Sequence, residues 1–302
     1  MSGRVVVVGS ANMDVVTRVA RIPRPGETVT AESLTAFPGG KGLNQAIAAR
    51  RAGAATVFVA ALGADEHGET LAQVIRAEGI DDSAVRRQEG PTGTAFVTTE
   101  ASGENNIVIV AGANDALRGL TDGDRALIAA ADVLVCQLEV PDSVVHQAIA
   151  VARASGTRVV LNPAPVRTVP AVVLADVDVL VVNEHEAQHL GVRDLRVRCV
   201  LTTMGAAGAE LDVRGSAPVR IEARPTVAVD TTGAGDTFVG VFAADVAAGA
   251  GYEAAARRAA IAASLSVESH GAVPSIPTRA DVDAAMAAPC HAAPTTEKGM
   301  PL

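Results

Sequence analysis

Short, mostly apolar runs alternate along this chain with stretches of helical spacing. Residues 5–8, 57–62, 133–138, 158–161, 179–182 and 199–203 are runs bounded by Gly, Asn, Asp or Pro. Their brevity and their lack of polar alternation predict strands buried on both faces. Residues 42–52, 66–78, 122–131, 142–154, 184–190 and 236–248 carry helical patterns and alternate with those runs. This order predicts an α/β fold with a mostly parallel sheet and helices on both sides. Ligands of such sheets bind beyond the carboxyl ends of the strands, so the residues that follow each run are where chemistry is sought.

Two stretches break the rhythm. Residues 17–37 and 92–110 show Thr, Val, Phe and Ile alternating with polar residues and turn pairs such as Pro25-Gly26 and Ser102-Gly103. They predict a small separate sheet, placed at about residues 15–38 and 92–110, that acts as a lid over the site. Residues 287–302, rich in Ala, Pro and Thr, read as a frayed tail behind a single domain spanning residues 1–286.

Composition narrows the function classes. The chain has 302 residues, 49% hydrophobic and 20% charged, long enough for one large α/β domain. A net charge of −9 and 2% aromatics leave neither the basic surface nor the stacking platforms that nucleic-acid binding uses. A small solute is the better partner. Cys136, Cys199 and Cys290 are odd in number and widely spaced, which suits reduced thiols and a cytoplasmic location more than a disulfide framework. No apolar stretch approaches a membrane span, and the start of the chain reads as a strand rather than a leader.

The densest chemistry lies at residues 230–238, Asp-Thr-Thr-Gly-Ala-Gly-Asp-Thr-Phe, directly before the apolar run with Val239, Val241 and Phe242. Gly233 and Gly235 permit a tight turn that brings backbone N–H groups against a ligand, and the helix behind them turns its positive end to the same spot. An anion suits that place. Asp236 in the first helical turn makes little sense for anion binding alone and good sense for taking a proton beside a phosphoryl group.

Three motifs together, Gly9-Ser10-Ala11-Asn12-Met13-Asp14, Gly39-Gly40-Lys41-Gly42-Leu43-Asn44-Gln45-Ala46 and the 230–238 segment, resemble the ribokinase family of sugar kinases over residues 5–277. The resemblance implies a three-layer α/β sandwich with a small β-sheet lid and a homodimer formed through that lid. It also implies ATP-dependent phosphorylation of D-ribose at O5, with Mg²⁺ required and a monovalent cation, usually K⁺, as activator.

Asn12 and Asp14 are placed by sequence at the carboxyl end of the first strand, where an amide and a carboxylate can take several sugar hydroxyls. A turn or N-cap pair is the plainer alternative. In residues 39–45 the glycines admit a hydroxylated ligand while Lys41 and Asn44 supply polar groups; a helix-start loop would look much the same. The segment is not a Walker A loop, because Gly42 stands where Ser or Thr would be needed. By resemblance Asn12, Asp14, Gly39, Gly40, Lys41, Asn44, Glu139 and Asp236 form the ribose site. Asp236 is the implied base, and the N–H groups of Gly233, Ala234 and Gly235 stabilise charge on the transferring group, each by about 3 kcal/mol by analogy with oxyanion holes.

On the nucleotide side, Asn183-Glu184-His185-Glu186 follows a strand and is similar to the family's Asn-x-x-Glu motif, which helps hold the water shell of Mg²⁺ through Glu186. A helix start with acidic residues is the alternative. His185-Glu186-Ala187-Gln188-His189 also matches the H-E-x-x-H zinc pattern, but Val192 replaces the Gly of the extended motif and Glu210 is a poor third ligand. By resemblance Asn183, Thr203, Gly205, Gly208 and Gly235 contact the nucleotide, and Asp230, Thr232, Ser266, Ser269, Gly271 and Ser275 surround the monovalent cation.

One departure counts against a full match. After residue 190 the chain reaches the next strand by about residue 198, where the family usually places another helix of a dozen or more residues. Residues 183–198 just manage a parallel crossover. A lost outer helix predicts an exposed apolar patch or a compensating contact and puts nucleotide affinity in question. Two alternatives follow: a kinase of the same fold acting on another sugar or a nucleoside, and a ribose-binding protein with impaired catalysis.

Overall fold

The computed structural model describes residues 2–100, 104–192, 195 and 197–287. Along the chain, β1 (Arg4–Val8) runs into β2 (Asn12–Val19), followed by β3 (Ser33–Gly39), α1 (Lys41–Arg51), β4 (Ala55–Gly63), α2 (Glu66–Ala77) and β5 (Val85–Gln88). Next come β6 (Gly93–Glu100), β7 (Asn105–Val110), α3 (Asp122–Ala129), β8 (Val133–Cys136), α4 (Asp142–Ser155), β9 (Arg158–Leu161) and α5 (Ala171–Leu174). The described chain closes with β10 (Val179–Asn183), α6 (Glu184–Leu190), β11 (Cys199–Thr203), β12 (Ala209–Val213), β13 (Val219–Ile221), α7 (Ala234–Ala247), α8 (Tyr252–Ser266), α9 (Ala272–Ser275) and α10 (Arg279–Ala287).

The strands form two sheets. The larger has nine, in the order β13-β12-β11-β10-β9-β8-β1-β4-β5. It is parallel from β11 to β5, while β12 pairs antiparallel with both of its neighbours. Strand β1 shows how the sequence dictates the layers: Val5 and Val7 join one apolar cluster and Val6 and Val8 the other, all four with no exposed surface. The first cluster is completed by Leu43 and Ile47 of α1, Leu71 of α2 and Phe238 and Phe242 of α7, the second by Ile128 of α3 and Val144 and Ile149 of α4. A strand apolar on both faces and fed from two helical layers is the signature of this architecture.

β1 lies between β4 and β8, so the chain departs from it in opposite directions. The crevice at such a switch point is where an open α/β sheet receives its ligand. The second sheet, ordered β3-β2-β6-β7, springs from that edge, since β2 begins four residues after β1 ends. Its strands come from the two stretches that broke the alternation, but β2 reaches back to Asn12 and β3 on to Gly39.

Several boundaries shift. The 133–138 run is a strand only to Cys136, and the helix predicted at 236–248 already starts at Ala234. Helices α8 and α10 escaped the sequence reading because α8, rich in alanine, has few large side chains to mark a stripe. Strands β5 and β13 did not stand out because arginines interrupt their short apolar pattern. Ala287 closes α10, and residues 288–302 of the expected tail lie outside the described residues.

The shortened crossover shows a compensating contact. Among the described residues between Leu190 and Cys199 there is no α-helix. Val197 is buried, and Ala187, Leu190, Val192 and Leu195 pack against the second cluster. The α6 helix itself ends cleanly at Gly191, whose φ of 59° suits glycine.

Candidate active site

At the switch point the polar residues are held by hydrogen bonds running between elements. Ser10 is the first hub. Its Oγ donates to Glu139 Oε2 at 2.6 Å, while its own carbonyl accepts the Leu43 N–H at 2.9 Å. Glu139 Oε2 also accepts the Lys41 backbone N–H at 3.0 Å, so the loop behind β8 is tied to the start of α1. Gly40, with φ 88°, leads into that helix, and a Cβ there would collide with the Asn12 backbone.

Asn12 and Asp14 follow closely on the carboxyl end of β1, and they are not the turn or N-cap pair that stood as the alternative. They lie in β2, two residues apart and thus on one face of the strand. Asn12 is 3% exposed, and its Oδ1 accepts from Asn114 Nδ2 at 2.7 Å. Asn114 also takes the Ala11 N–H at 3.0 Å on its own Oδ1, so its amide cannot flip without losing that bond. Asn12 is thereby fixed with its NH₂ as the group left to donate. Gly39 pairs with Asn12 across β2 and β3, and any side chain there would occupy the position of the Asp14 carboxylate.

The Asp14 carboxyl is pushed up to about 7, chiefly by burial, then by the negative charges of Glu139 and Asp236, with Lys41 opposing. Lys41 in turn is held above its ordinary range by Asp236 first, with Glu139, Glu186 and Asp14 adding to it against the effect of burial. One ammonium among four carboxylates makes a site with spare negative charge and acceptor capacity, suited to a neutral polyol whose hydroxyls donate.

Asp236 occupies the first turn of α7 and is 7% exposed. Asn44 Nδ2 donates to its Oδ2 at 3.0 Å and Gln45 Nε2 to its Oδ1 at 2.8 Å. Gly233, the residue that caps α7, has φ 76°, a conformation that frees the turn for the helix start. A Cβ on Gly235 would meet no atom within 4 Å, so the space in front of the turn is open. Asn44 Oδ1 is buried with no partner, an acceptor that a ligand hydroxyl would satisfy.

The residues expected to serve the nucleotide and the cations are spread more widely. Asn183 and Glu186 form a capping box on α6: the Asn183 side chain accepts from Glu186 N at 2.8 Å and Glu186 Oε2 accepts from Asn183 N at 2.9 Å. This is the helix-start arrangement that the sequence left as an alternative, and it leaves the second Glu186 oxygen for other work. Thr203 ends β11 with its Oγ1 on the Val182 carbonyl, and Gly205 and Gly208 bracket the turn into β12. Asp230 takes Thr232 N and Gly271 N, both at 2.9 Å, which fastens the 230–233 turn to the 267–271 loop. Burial raises its carboxyl, but the bonds from Thr232 and Gly271 and the nearby His270 outweigh that and hold it below the usual range. Ser266 and Ser275 turn their hydroxyls onto the carbonyls of Ala263 and Ala272, and Ser269 is exposed. Among the described residues no group of three or more His, Cys, Asp or Glu could hold a metal.

Sequence reasoning gave no role to Ser10, Asn114, Gln137 or Asn162, and quoted Gln45 without assigning it one. A signal existed for two of them: Gln137 and Asn162 are the first polar residues after the apolar runs of β8 and β9, at the carboxyl edge of the sheet.

The fold and the site define a carbohydrate kinase. A model of the pfkB family carbohydrate kinases matches residues 2–279, and the chain belongs to that family. Its relatives include the ribokinase of Haemophilus influenzae, 37% identical over 291 residues that cover 90% of this chain and 95% of the relative. The ribokinase of Bacillus subtilis is 37% identical over 292 residues, 92% of this chain and 97% of the other. Among solved structures, Arabidopsis thaliana ribokinase complexed with ribose and ATP superposes with a TM-score of 0.90 at 34% identity, covering 96% of this chain and all of that one.

Proposed function

We propose that this enzyme transfers the γ-phosphoryl group of ATP to O5 of D-ribose. The observation that carries the reading is the placing of a buried carboxylate, Asp236, at an open helix N-terminus on the same crevice as the Asn12–Asp14 face. Asn12 donates to the sugar, Asp14, Glu139 and Asn44 Oδ1 accept from it, and Gly39 and Gly40 let it approach. Asp236 takes the proton of the attacking hydroxyl. The backbone N–H groups of Gly233, Ala234 and Gly235 face the charge that develops on the transferring group.

ATP lies along the turns at Asn183, Thr203, Gly205 and Gly208 and reaches Gly235. Mg²⁺, which keeps most of its waters and needs few protein oxygens, fits the free oxygen of Glu186 and would neutralise phosphate charge. A monovalent cation, K⁺ by preference, fits beside Asp230 with the backbone of Thr232, Ser266, Ser269, Gly271 and Ser275; with both Asp230 oxygens already engaged, main-chain carbonyls are its main ligands.

The small sheet, at residues 15–38 and 92–110, serves as lid to a single domain of residues 1–286. It is also the surface for a homodimer: β7 is an edge strand exposing Ile107, Val108, Ile109 and Val110, with Leu34 exposed on β3. Cys136 and Cys199 are free and buried, in keeping with a cytoplasmic enzyme, and no helix among the described residues is long and apolar enough to cross a membrane.

An ATP-coupled panel of pentoses, hexoses and nucleosides, run with and without K⁺, tests the reading. D-Ribose is expected to give the highest kcat/KM, with K⁺ raising it. A nucleoside or hexose as best substrate would move the enzyme to another branch of the fold, and ribose binding without ADP formation would leave only a sugar-binding protein.

A further inference from the structure

We infer that Gln45 is a positioning residue that fixes the Asp236 carboxylate and reserves its Oδ2 for the substrate proton. The inference rests on Asp236 being the base. Gln45 has no exposed surface, and its amide is engaged at both ends. Its Nε2 has two hydrogens and two acceptors, Asp236 Oδ1 at 2.8 Å and Asn162 Oδ1 at 3.2 Å. Its Oε1 accepts from Gln137 Nε2 at 2.6 Å. Asn162 then anchors the chain to the sheet by donating Nδ2 to the Val181 carbonyl of β10 at 2.9 Å.

Turning the Gln45 amide over would set its oxygen against two acceptors and its NH₂ against the Gln137 NH₂. The orientation is thus dictated from the Asp236 side, since a carboxylate can only accept and Asn162 is itself held by its bond to the Val181 carbonyl. An Asp χ2 torsion is broad by nature, so an unrestrained carboxylate would spread its lone pairs over many directions. With Oδ1 bound to a buried, immobile amide, Oδ2 is the oxygen whose partner can give way to the substrate hydroxyl. Oδ2 carries one bond, from Asn44, a side chain whose own Oδ1 lacks a partner. An arriving hydroxyl can therefore rearrange Asn44 at little cost, whereas displacing Gln45 would orphan three buried amide groups. The division of labour between the two oxygens aims the base along one line, and alignment of reacting groups is worth large factors in rate.

The test uses the full chain. Gln45→Met keeps the length of the side chain and removes the donor; kcat is expected to fall by about 10- to 100-fold with the KM for ribose within about twofold. In an Asp236→Asn background the same change is expected to cost nothing further, because there is no base left to aim. Gln137→Met, which frees only the far end of Gln45, is expected to show a smaller loss in kcat of the same kind, and it decides the matter if Gln45→Met does not fold. Unchanged kcat in the variant that folds, equal shifts in kcat and KM, or a full additive loss on top of Asp236→Asn would overturn the inference. Near-normal turnover by Asp236→Asn alone would instead remove the base assignment, a failure distinct from that of Gln45.

Discussion

The two sides of the crevice are built differently. On the side proposed for the sugar, Asn12, Asn44, Gln45, Asn114 and Asp236 are buried and joined by hydrogen bonds that cross between β2, α1, α7 and the segment after β7. On the side proposed for the nucleotide and the monovalent cation, Asn183 and Thr203 bond within their own turn or to the next strand, Asp230 bonds to Thr232 and Gly271, and residues 205–207 are exposed. A site that must recognise each hydroxyl gains from preorganised groups, because binding then carries no ordering cost. A long ligand carrying its own charge and metal needs mainly open turns and N–H groups. The sugar side should therefore be brittle to substitution and the nucleotide side tolerant.

The largest effect is expected where the two sides meet. Asp236→Asn preserves the shape of the side chain and the helix start but cannot accept the proton; turnover is expected to fall by about 10²–10⁴-fold, while ribose and ATP still bind by calorimetry. Turnover within a few-fold of the parent would remove Asp236 from the base role.

Two glycine variants sharpen the contrast. Gly39→Ala places a methyl where the Asp14 carboxylate lies and should weaken ribose binding by ~100-fold, or about 3 kcal/mol, since displaced buried groups lose their partners. Gly235→Ala meets no atom, and in the first turn of a helix it should leave thermal stability unchanged or raised by up to about 1 kcal/mol. Its methyl faces the space assigned to the transferring phosphoryl group, so kcat should still drop by ~10-fold or more. A stable Gly235→Ala enzyme with normal turnover would contradict the anion-hole assignment.

The sequence made the central framework legible because continuous apolar runs such as β1 and β10 are buried on both faces and carry no competing signal. It also disclosed the 230–238 turn, whose glycines and acid have few other uses together. What it could not disclose were contacts made across the fold. Asn114 lies 102 residues from its partner Asn12, and Gln137 lies 92 residues from Gln45. Nothing local distinguishes such amides from surface ones. The place of Asn12 and Asp14 just after β1 was legible, but not that they begin a strand of their own: Asn and Asp are common in turns, and only the pairing of β2 with β3 and β6 draws them into one. The alanine-rich α8 was lost for want of large side chains that would mark a periodic stripe.

Asn114 also provides a test of moderate size. Asn114→Ala leaves Asn12 Oδ1 and the Ala11 N–H without their buried partner and frees the Asn12 amide to turn. The expected result is a rise of about 10-fold in the KM for ribose, with the KM for ATP unmoved, and a loss of about 1–3 kcal/mol of stability. A rise in both KM values would show that the two sides are coupled rather than separate.

The smallest effect is a pH dependence of stability without ligand. The Asp14 carboxyl sits at about 7 in the folded chain against an ordinary value of 3.8, so between these values the folded state holds a proton that the unfolded chain has released. Stability from this group is accordingly greatest below pH 4, declines as pH rises towards 7, and is lowest above it. Asp14→Asn removes the titration and should raise the melting temperature at pH 8 relative to the parent by a few °C, on the order of 1 kcal/mol after solvent screening. At pH 5 the gain should shrink, because the parent Asp14 is then already protonated. The same variant should lose ribose binding, since an amide cannot accept on both atoms as the carboxylate does. A protein that gains stability by losing its ligand group would show that the spare negative charge of the sugar side is kept for binding at a cost to the fold, whereas an equal gain at both pH values would place the benefit elsewhere than in the charge of Asp14.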